Sequence, residues 1–204
     1  LEEIVPLISR YANSQNRVSD ADFYANDPFH VSVEELSRTV WAPAVGGSNR
    51  NTRWFYERAR GQYADAKARE ATPARKRQFE AMSPTRQKFT KTDLAKYENT
   101  WAQLPHIVSR GAQKNFNDFS VQIKERGGIK VDDTYFQHLV AKAILFKRAD
   151  RIIYQQQFGG YKANIVTYTL AWISHHTKQC IDLGRIWREQ DITPALHEVI
   201  VSVS

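Results

Sequence analysis

Apolar residues recur at helical spacing along much of the chain, most regularly in its last third. The stretch after Asp132 places the following residues on one helical face: Phe136, Leu139, Val140, Ala143 and Ile144. This spacing predicts an amphipathic helix that runs to about Gln157. After Gly159 and Gly160 the same pattern returns, through Ile165, Tyr168, Trp172 and Ile173. We therefore predict a second long helix, which packs antiparallel to the first through the short glycine link.

Helix starts are marked by capping residues. Three pairs have the spacing of a capping box with apolar flanks: Ser19 with Asp22, Ser32 with Glu35, and Thr90 with Asp93. Two further starts place a threonine before a proline, at Thr72-Pro73 and Thr193-Pro194. Proline suits the first turn of a helix because its missing N–H has no partner there. These signals predict five helix starts.

An aromatic segment in the first half also has helical spacing. One face of this helix would contain Phe55, Ala59, Gln62, Tyr63 and Ala66, with most of the rings in the core, and another face would contain Arg53, Arg60 and Lys67. Glu57 and Arg58 would form an ion pair that fixes this helix, either as a structural contact or as part of a site. Gly61 inside a helix requires a reason, such as the close approach of a neighbouring helix or of a phosphate.

The few prolines and glycines fall mostly between these periodic stretches, which argues against a turn-rich β architecture. We predict an all-α fold, an irregular multi-helix bundle of about eight to ten helices. A loop is expected around Gly46 and Gly47. A break at Gly127 would divide a basic region, 1–127, from a helical-hairpin region, 128–204, with the two packed as one body. The chain starts at Leu1 within a periodic stretch, which is typical of a fragment of a longer polypeptide.

Composition narrows the class of protein. Cys180 is the single cysteine, as is typical of a reducing compartment, and no apolar run reaches the length of a membrane span. We therefore expect a cytoplasmic location and no membrane partner. No phosphate-binding loop, zinc-protease helix or nucleophile elbow occurs in the sequence. His176 and Cys180 supply two metal ligands at most, so we expect no metal and no other cofactor.

The net charge of +7 is concentrated in one segment. Residues 50–96 contain 13 lysines and arginines against 5 acidic residues, so this segment holds the whole positive excess. A concentrated field attracts polyanions and makes their binding depend on salt. Nucleic acid is one candidate partner. A solvated face, or a surface that docks on an acidic domain, would explain the same charge.

Three stretches resemble the helical region of the abortive infection phage resistance proteins. They are residues 10–23 (RYANSQNRVSDADF), with an Asn-x-Gln-Asn element at Asn13, residues 54–63 (WFYERARGQY) and residues 88–97 (KFTKTDLAKY). Together the resemblance covers roughly residues 8–120. The family is often encoded beside restriction-modification systems, so the resemblance implies a part in defence against phage. A nuclease-like segment has been suspected upstream in longer members, and no catalytic residue is carried over to this chain.

Two functions are compatible with these residues. The first is a nucleic-acid-engaging module that neutralises phosphates, for which the candidate contacts are Arg53, Arg60, Arg75, Lys76, Arg77, Lys88 and Lys91. Asn13, Gln15 and Asn16 are candidate polar readers, although the same amides could tie the turn before Ser19. The second function is a scaffold for protein interactions that supports a separate nuclease-like domain, so other domains of the full-length protein are expected partners.

An enzyme completed by residues outside this chain is a third hypothesis. Asp118, Gln122 and Lys124 faintly resemble the acid and Gln-x-Lys set of metal-dependent nucleases. Those nucleases carry the set on a strand, whereas the periodicity around Asp118 is helical. We therefore assign no catalytic residue.

Overall fold

The computed structural model describes residues 27–125, 128–176 and 181–204. Within these ranges the chain forms ten α-helices: α1 (Pro28–Thr39), α2 (Gln62–Ala68), α3 (Pro73–Met82), α4 (Lys91–Trp101), α5 (Pro105–Val108), α6 (Ala112–Glu125), α7 (Asp133–Gln155), α8 (Lys162–His176), α9 (Leu183–Glu189) and α10 (Pro194–Val203). Short 3₁₀ turns span Thr85–Gln87 and Gly159–Tyr161. Two three-residue strands, β1 (Phe55–Glu57) and β2 (Lys88–Thr90), complete the described part. The prediction of a mostly α-helical bundle is confirmed.

Three of the predicted helix starts are confirmed. The side chains of Thr72 and Thr193 cap α3 and α10, each with proline at the next position. Thr90 and Asp93 form the complete capping box of α4: the Asp93 amide donates to Thr90 Oγ1 at 3.2 Å, and the Thr90 amide donates to Asp93 Oδ2 at 3.0 Å. The pair Ser19 and Asp22 lies outside the described residues.

The start predicted at Ser32 is wrong. Helix α1 begins one turn earlier, at Pro28, because Asp27 supplies the cap: its Oδ1 accepts a hydrogen bond from the Phe29 amide at 2.9 Å. Proline at the first position further favours that start. Ser32 consequently lies inside the helix.

Helices α7 and α8 match the two predicted long helices, and they contact each other. Helix α7 is the centre of the fold, since α1, α4, α8, α9 and α10 all pack against it. Its buried face includes Phe136, Leu139 and Ile153. None of the described helices combines the length and apolar character needed to cross a membrane.

The segment predicted as one helix over residues 53–67 is instead a strand, a turn and a short helix. Phe55, Tyr56 and Glu57 are all buried, as expected of a strand covered on both faces. They pair in parallel with β2, with Tyr56 opposite Phe89. Gly61 lies outside the helix as the residue before α2, with a φ of 84°. Apart from its chain neighbours, no atom of the described residues lies within 4 Å of the position that a Cβ at Gly61 would take, so backbone conformation explains this glycine and close packing among these residues does not.

One hydrophobic cluster contains residues from most elements of the described part, including Phe29, Tyr56, Phe116, Leu139 and Ile200. This cluster includes residues that precede Gly127 and residues that follow it, while Gly127 itself lies outside the described residues. The division into regions 1–127 and 128–204 remains a prediction.

Candidate nucleic-acid interface

The structure places the predicted contact residues in different surroundings. Asn13, Gln15 and Asn16 lie outside the described residues. Arg60, Arg75 and Arg77 are exposed and Lys76 is half-buried. Within the described ranges, no carboxylate oxygen lies within 4.0 Å of the charged nitrogens of these four side chains. They keep their positive charge available to a polyanion.

Two of the predicted contacts are engaged elsewhere. The Lys88 amine forms an ion pair with Glu57 at 2.8 Å, across the two-stranded sheet. Lys91 is also a predicted phosphate contact, but only 7% of it is exposed. It occupies the first turn of that helix against the core, so its placement as a surface contact is wrong. Pairing and burial therefore reduce the basic surface that the sequence indicates.

Arg53 supports an exposed ring. Its Nη1 donates to the Arg38 carbonyl at 2.7 Å, and its guanidinium lies 4.5 Å from the centroid of the Trp41 ring. Cation–π contacts of this kind favour a fixed orientation of the ring. Trp41 nevertheless remains 45% exposed. The structure thus holds a large aromatic surface at the edge of the fold.

Trp41 lines an open pocket of about 870 Å³, which we name the Trp41 pocket. Its polar lining residues are Asn49, Arg50, Asn51, Arg77 and Gln78, and Ala81 and Met82 complete it. No acidic residue of the described part lines it. Like Arg77, Arg50 is exposed and has no carboxylate within 4.0 Å among the described residues. The pocket combines a ring, three amides and two guanidinium groups.

Local chain geometry builds this pocket from a loop and a helix. Ala42 and Thr52 exchange backbone hydrogen bonds of 2.7 and 3.3 Å, which close the loop formed by residues 43–51. Gly46 and Gly47 turn the loop with φ of 64° and 77°, and Asn51 Oδ1 accepts from the Ala44 amide at 3.1 Å. The Arg53 amide donates to the Met82 carbonyl at 2.7 Å, so the end of the loop is fastened to the end of α3.

The chemistry available in this pocket matches the groups of an unpaired nucleotide. An exposed indole ring can stack on a base, amide side chains can donate to and accept from base edges, and arginine binds phosphate oxygens through paired N–H groups. Each of these groups is present in one opening, without a competing carboxylate in the described part.

Of the predicted contact residues that the structure describes, Arg77 alone lines the Trp41 pocket. Arg75, Lys76 and Arg77 share a helical turn, but successive residues of a helix point about 100° apart. Of these three only Arg77 lines the pocket, beside Gln78 and Ala81. Trp41 and Arg50 carried no periodic signal. The one available indication was the glycine-rich and asparagine-rich loop, because surface loops often carry function.

The nuclease-like set around Asp118 lies on a helix, as the periodicity predicted. Asp118 and Gln122 both lie on α6, with Asp118 Oδ2 at 4.0 Å from Arg110 Nη1. Gln122 Nε2 donates to Asn99 Oδ1 at 3.3 Å. Cys180, the other half of the His176 pair, is outside the described residues.

Fold and pocket together define a basic helical protein with an aromatic, cationic opening at its edge. A family model described as AIPR protein matches residues 1–204. The chain therefore belongs to the AIPR family, the abortive infection phage resistance proteins, and membership implies a part in defence against phage. The resemblance noted over residues 8–120 is confirmed and extends over the whole chain. No curated protein and no solved structure matches it.

Proposed function

We propose that this chain is the nucleic-acid-engaging module of a phage-defence protein and that it holds an unpaired nucleotide in the Trp41 pocket. The observation that carries the proposal is the half-exposed Trp41 ring, which shares one opening with Arg50 and Arg77. Aromatic stacking requires the face of a base, and the faces of bases in a duplex are covered by their neighbours. We therefore expect the ligand to be a single strand or a base that has left its duplex.

The remaining basic residues act at longer range. Arg60, Arg75 and Lys76 add positive potential around the opening, which steers a polyanion toward it and weakens with salt. Arg53 contributes by holding the Trp41 ring. Asn13, Gln15 and Asn16 remain candidate readers from the sequence. Lys88 is held by Glu57 and Lys91 is buried, so neither belongs to this surface.

The proposal is tested by anisotropy of a labelled single-stranded oligonucleotide over a salt titration. We expect log K to fall linearly with log salt, and the double variant Arg50→Gln/Arg77→Gln to bind more weakly with a slope smaller by about 1.4, for two lost phosphate contacts. The matched control is Arg185→Gln/Arg188→Gln, which removes two exposed arginines of α9 outside the pocket. Equal weakening by both double variants would reduce the effect to net charge and contradict the proposal.

The scaffold function is favoured by a different surface. Tyr168 and Trp172 lie four residues apart on α8 and are 49% and 45% exposed. Large exposed aromatic residues on one helical face are typical of protein interfaces. If Tyr168→Ala/Trp172→Ala abolishes association with the rest of the full-length protein while oligonucleotide binding is absent from the unmodified chain, the scaffold function replaces the first proposal.

A further inference from the structure

A second pocket, separate from the Trp41 pocket, has a strongly cationic lining. It has a volume of about 490 Å³ and lies between the 3₁₀ turn before β2 and the middle of α7. Arg86 and Gln87 line it from the turn, and Lys147, Arg148 and Arg151 line it from α7. We name it the Lys147 pocket. Its volume falls in the range of small-molecule sites.

Three of its four cations are available for a ligand. Arg148 Nη2 is paired with Asp191 Oδ2 at 2.6 Å. Arg86, Lys147 and Arg151 have no carboxylate within 4.0 Å among the described residues, and no acidic residue of the described part lines the pocket. Three like charges facing one cavity repel one another, and an anion between them relieves that repulsion.

The charge of Lys147 is held in a fixed position. Its Nζ donates to the carbonyls of Arg86 and Lys88 at 2.9 and 3.0 Å, and it lies 5.6 Å from the centroid of the Trp54 ring. An ammonium group has three N–H donors, so one remains after these two bonds. A cation that is already oriented loses little conformational freedom when an anion binds.

Gln87 adds an independent sign of a missing partner. Only 8% of this residue is exposed, and its Oε1 has no hydrogen-bond partner among the described residues. Buried amide oxygens are nearly always bonded, and this one can only accept, so its partner would be a donor of the bound molecule, such as a ribose hydroxyl, or a water that it orders, and not the phosphate itself. The apolar side chains of Val45 and Ile144 line the same cavity.

We propose that the Lys147 pocket binds a terminal phosphate group of a nucleotide. The phosphate oxygens would accept from Arg86, Lys147 and Arg151, and the less polar part of the nucleotide would contact Val45 and Ile144. Either a free nucleoside diphosphate or the phosphorylated end of a strand carries this group. The proposal goes beyond the nucleotide held at Trp41 and does not depend on it.

Calorimetric titration of the chain with ADP, and with a short strand bearing either a 5′-phosphate or a 5′-hydroxyl, tests the proposal. We expect ADP or the 5′-phosphorylated strand to bind, and Arg86→Gln/Arg151→Gln to weaken that binding about tenfold or more, since two charged hydrogen-bond donors are removed. Both arginines are exposed, so these changes leave the core intact. ADP binding alone identifies a free nucleotide, and a preference for the 5′-phosphate over the 5′-hydroxyl identifies a strand end.

The control variant is Arg185→Gln/Arg188→Gln, which removes two exposed arginines of α9 that line neither pocket and changes the charge by the same amount. It should leave the phosphate-dependent binding unchanged. Absence of binding by both phosphate probes, or equal weakening by the two double variants, would overturn the proposal. If the Trp41 pocket does not bind a strand, the 5′-hydroxyl strand will not bind while ADP still does. This result would contradict the proposed function and leave the phosphate site in place.

Discussion

The Tyr56 hydroxyl and His30 Nδ1 lie 2.7 Å apart inside the core, and this hydrogen bond joins α1 to β1. Both side chains are almost wholly buried. Burial lowers the pKa of His30 to about 4 and raises the pKa of Tyr56 well above its usual value. Both groups are therefore neutral at physiological pH, and the fold depends on the imidazole remaining uncharged.

Acid should destabilise the protein through His30. The unfolded chain binds a proton at His30 near pH 6.5 and the folded chain near pH 4. The contribution of the neutral ring is complete above pH 6.5 and is lost as pH falls toward 4, to an extent of about 3 kcal/mol. Urea unfolding between pH 7 and pH 4 measures this loss. His30→Gln keeps a hydrogen-bonding group and should flatten the dependence, whereas the exposed control His106→Gln should not. A parallel dependence in the wild type and His30→Gln would contradict this explanation.

Lys142 on α7 and Glu98 on α4 form a largely buried ion pair, with side chains 9% and 15% exposed and the amine 2.9 Å from both carboxylate oxygens. Tyr135 also donates to this carboxylate, at 3.3 Å. Lys142→Met leaves the charge of Glu98 buried without its cation, and we expect the free energy of unfolding to fall by about 3–5 kcal/mol. Lys142→Met/Glu98→Gln should recover much of this loss. Urea unfolding of both variants provides the measurement.

The control for that pair is Lys162→Met, which breaks an exposed contact of 3.0 Å with Asp150. Exposed pairs contribute about 0–1 kcal/mol, so this variant should remain close to the wild type. A comparable loss in Lys142→Met and Lys162→Met would show that burial does not increase the contribution of the first pair to the free energy of unfolding.

The capping box of α4 should contribute measurably to stability. Thr90→Ala removes the acceptor of the Asp93 amide and should lower the free energy of unfolding by about 1 kcal/mol. Ser32→Ala is an informative comparison, because Ser32 has the sequence signature of a cap but lies inside α1. It should change stability much less. Thermal unfolding of the two variants distinguishes these expectations, and equal losses would be inconsistent with the observed helix starts.

Trp41 should matter for strand binding in a way that another equally exposed tryptophan does not. Trp41 and Trp172 are both 45% exposed, but only Trp41 lines the Trp41 pocket. Trp41→Ala should weaken binding of a single strand by about 1–3 kcal/mol, the usual contribution of base stacking. Anisotropy titrations of Trp41→Ala and Trp172→Ala measure the difference. Strand affinity unchanged in Trp41→Ala would remove the stacking role from the proposal.

The sequence was most informative where structure depends on neighbouring residues. Thr72, Thr90 and Thr193 cap helices through bonds within three residues, so their patterns were sufficient. The sequence of β1 predicts a helix and not a strand, because its three residues are buried on both faces and so lack the alternation that usually marks a strand. Helical spacing among aromatic residues then gave a false signal.

The site was less predictable because it depends on contacts between distant segments. The charge of Lys88 is balanced by Glu57, thirty-one positions earlier, and a sequence pattern does not reveal that distance. Likewise, the bond from the Arg53 amide to the Met82 carbonyl brings Trp41 and Arg50 beside Arg77. The sequence shows that residues 50–96 are basic, but it does not show that some of them lie around the Trp41 ring.

The backbone bonds between Ala42 and Thr52 make residues 43–51 a wall common to two cavities. Val45 faces the Lys147 pocket, while Asn49 and Arg50 face the Trp41 pocket. A ligand that orders this loop from one pocket reduces the conformational entropy that is lost when a second ligand binds in the other pocket. We therefore expect the two pockets to be positively coupled, and this coupling would appear as tighter binding of a 5′-hydroxyl strand when ADP is present, without any change in the helices that carry the pockets.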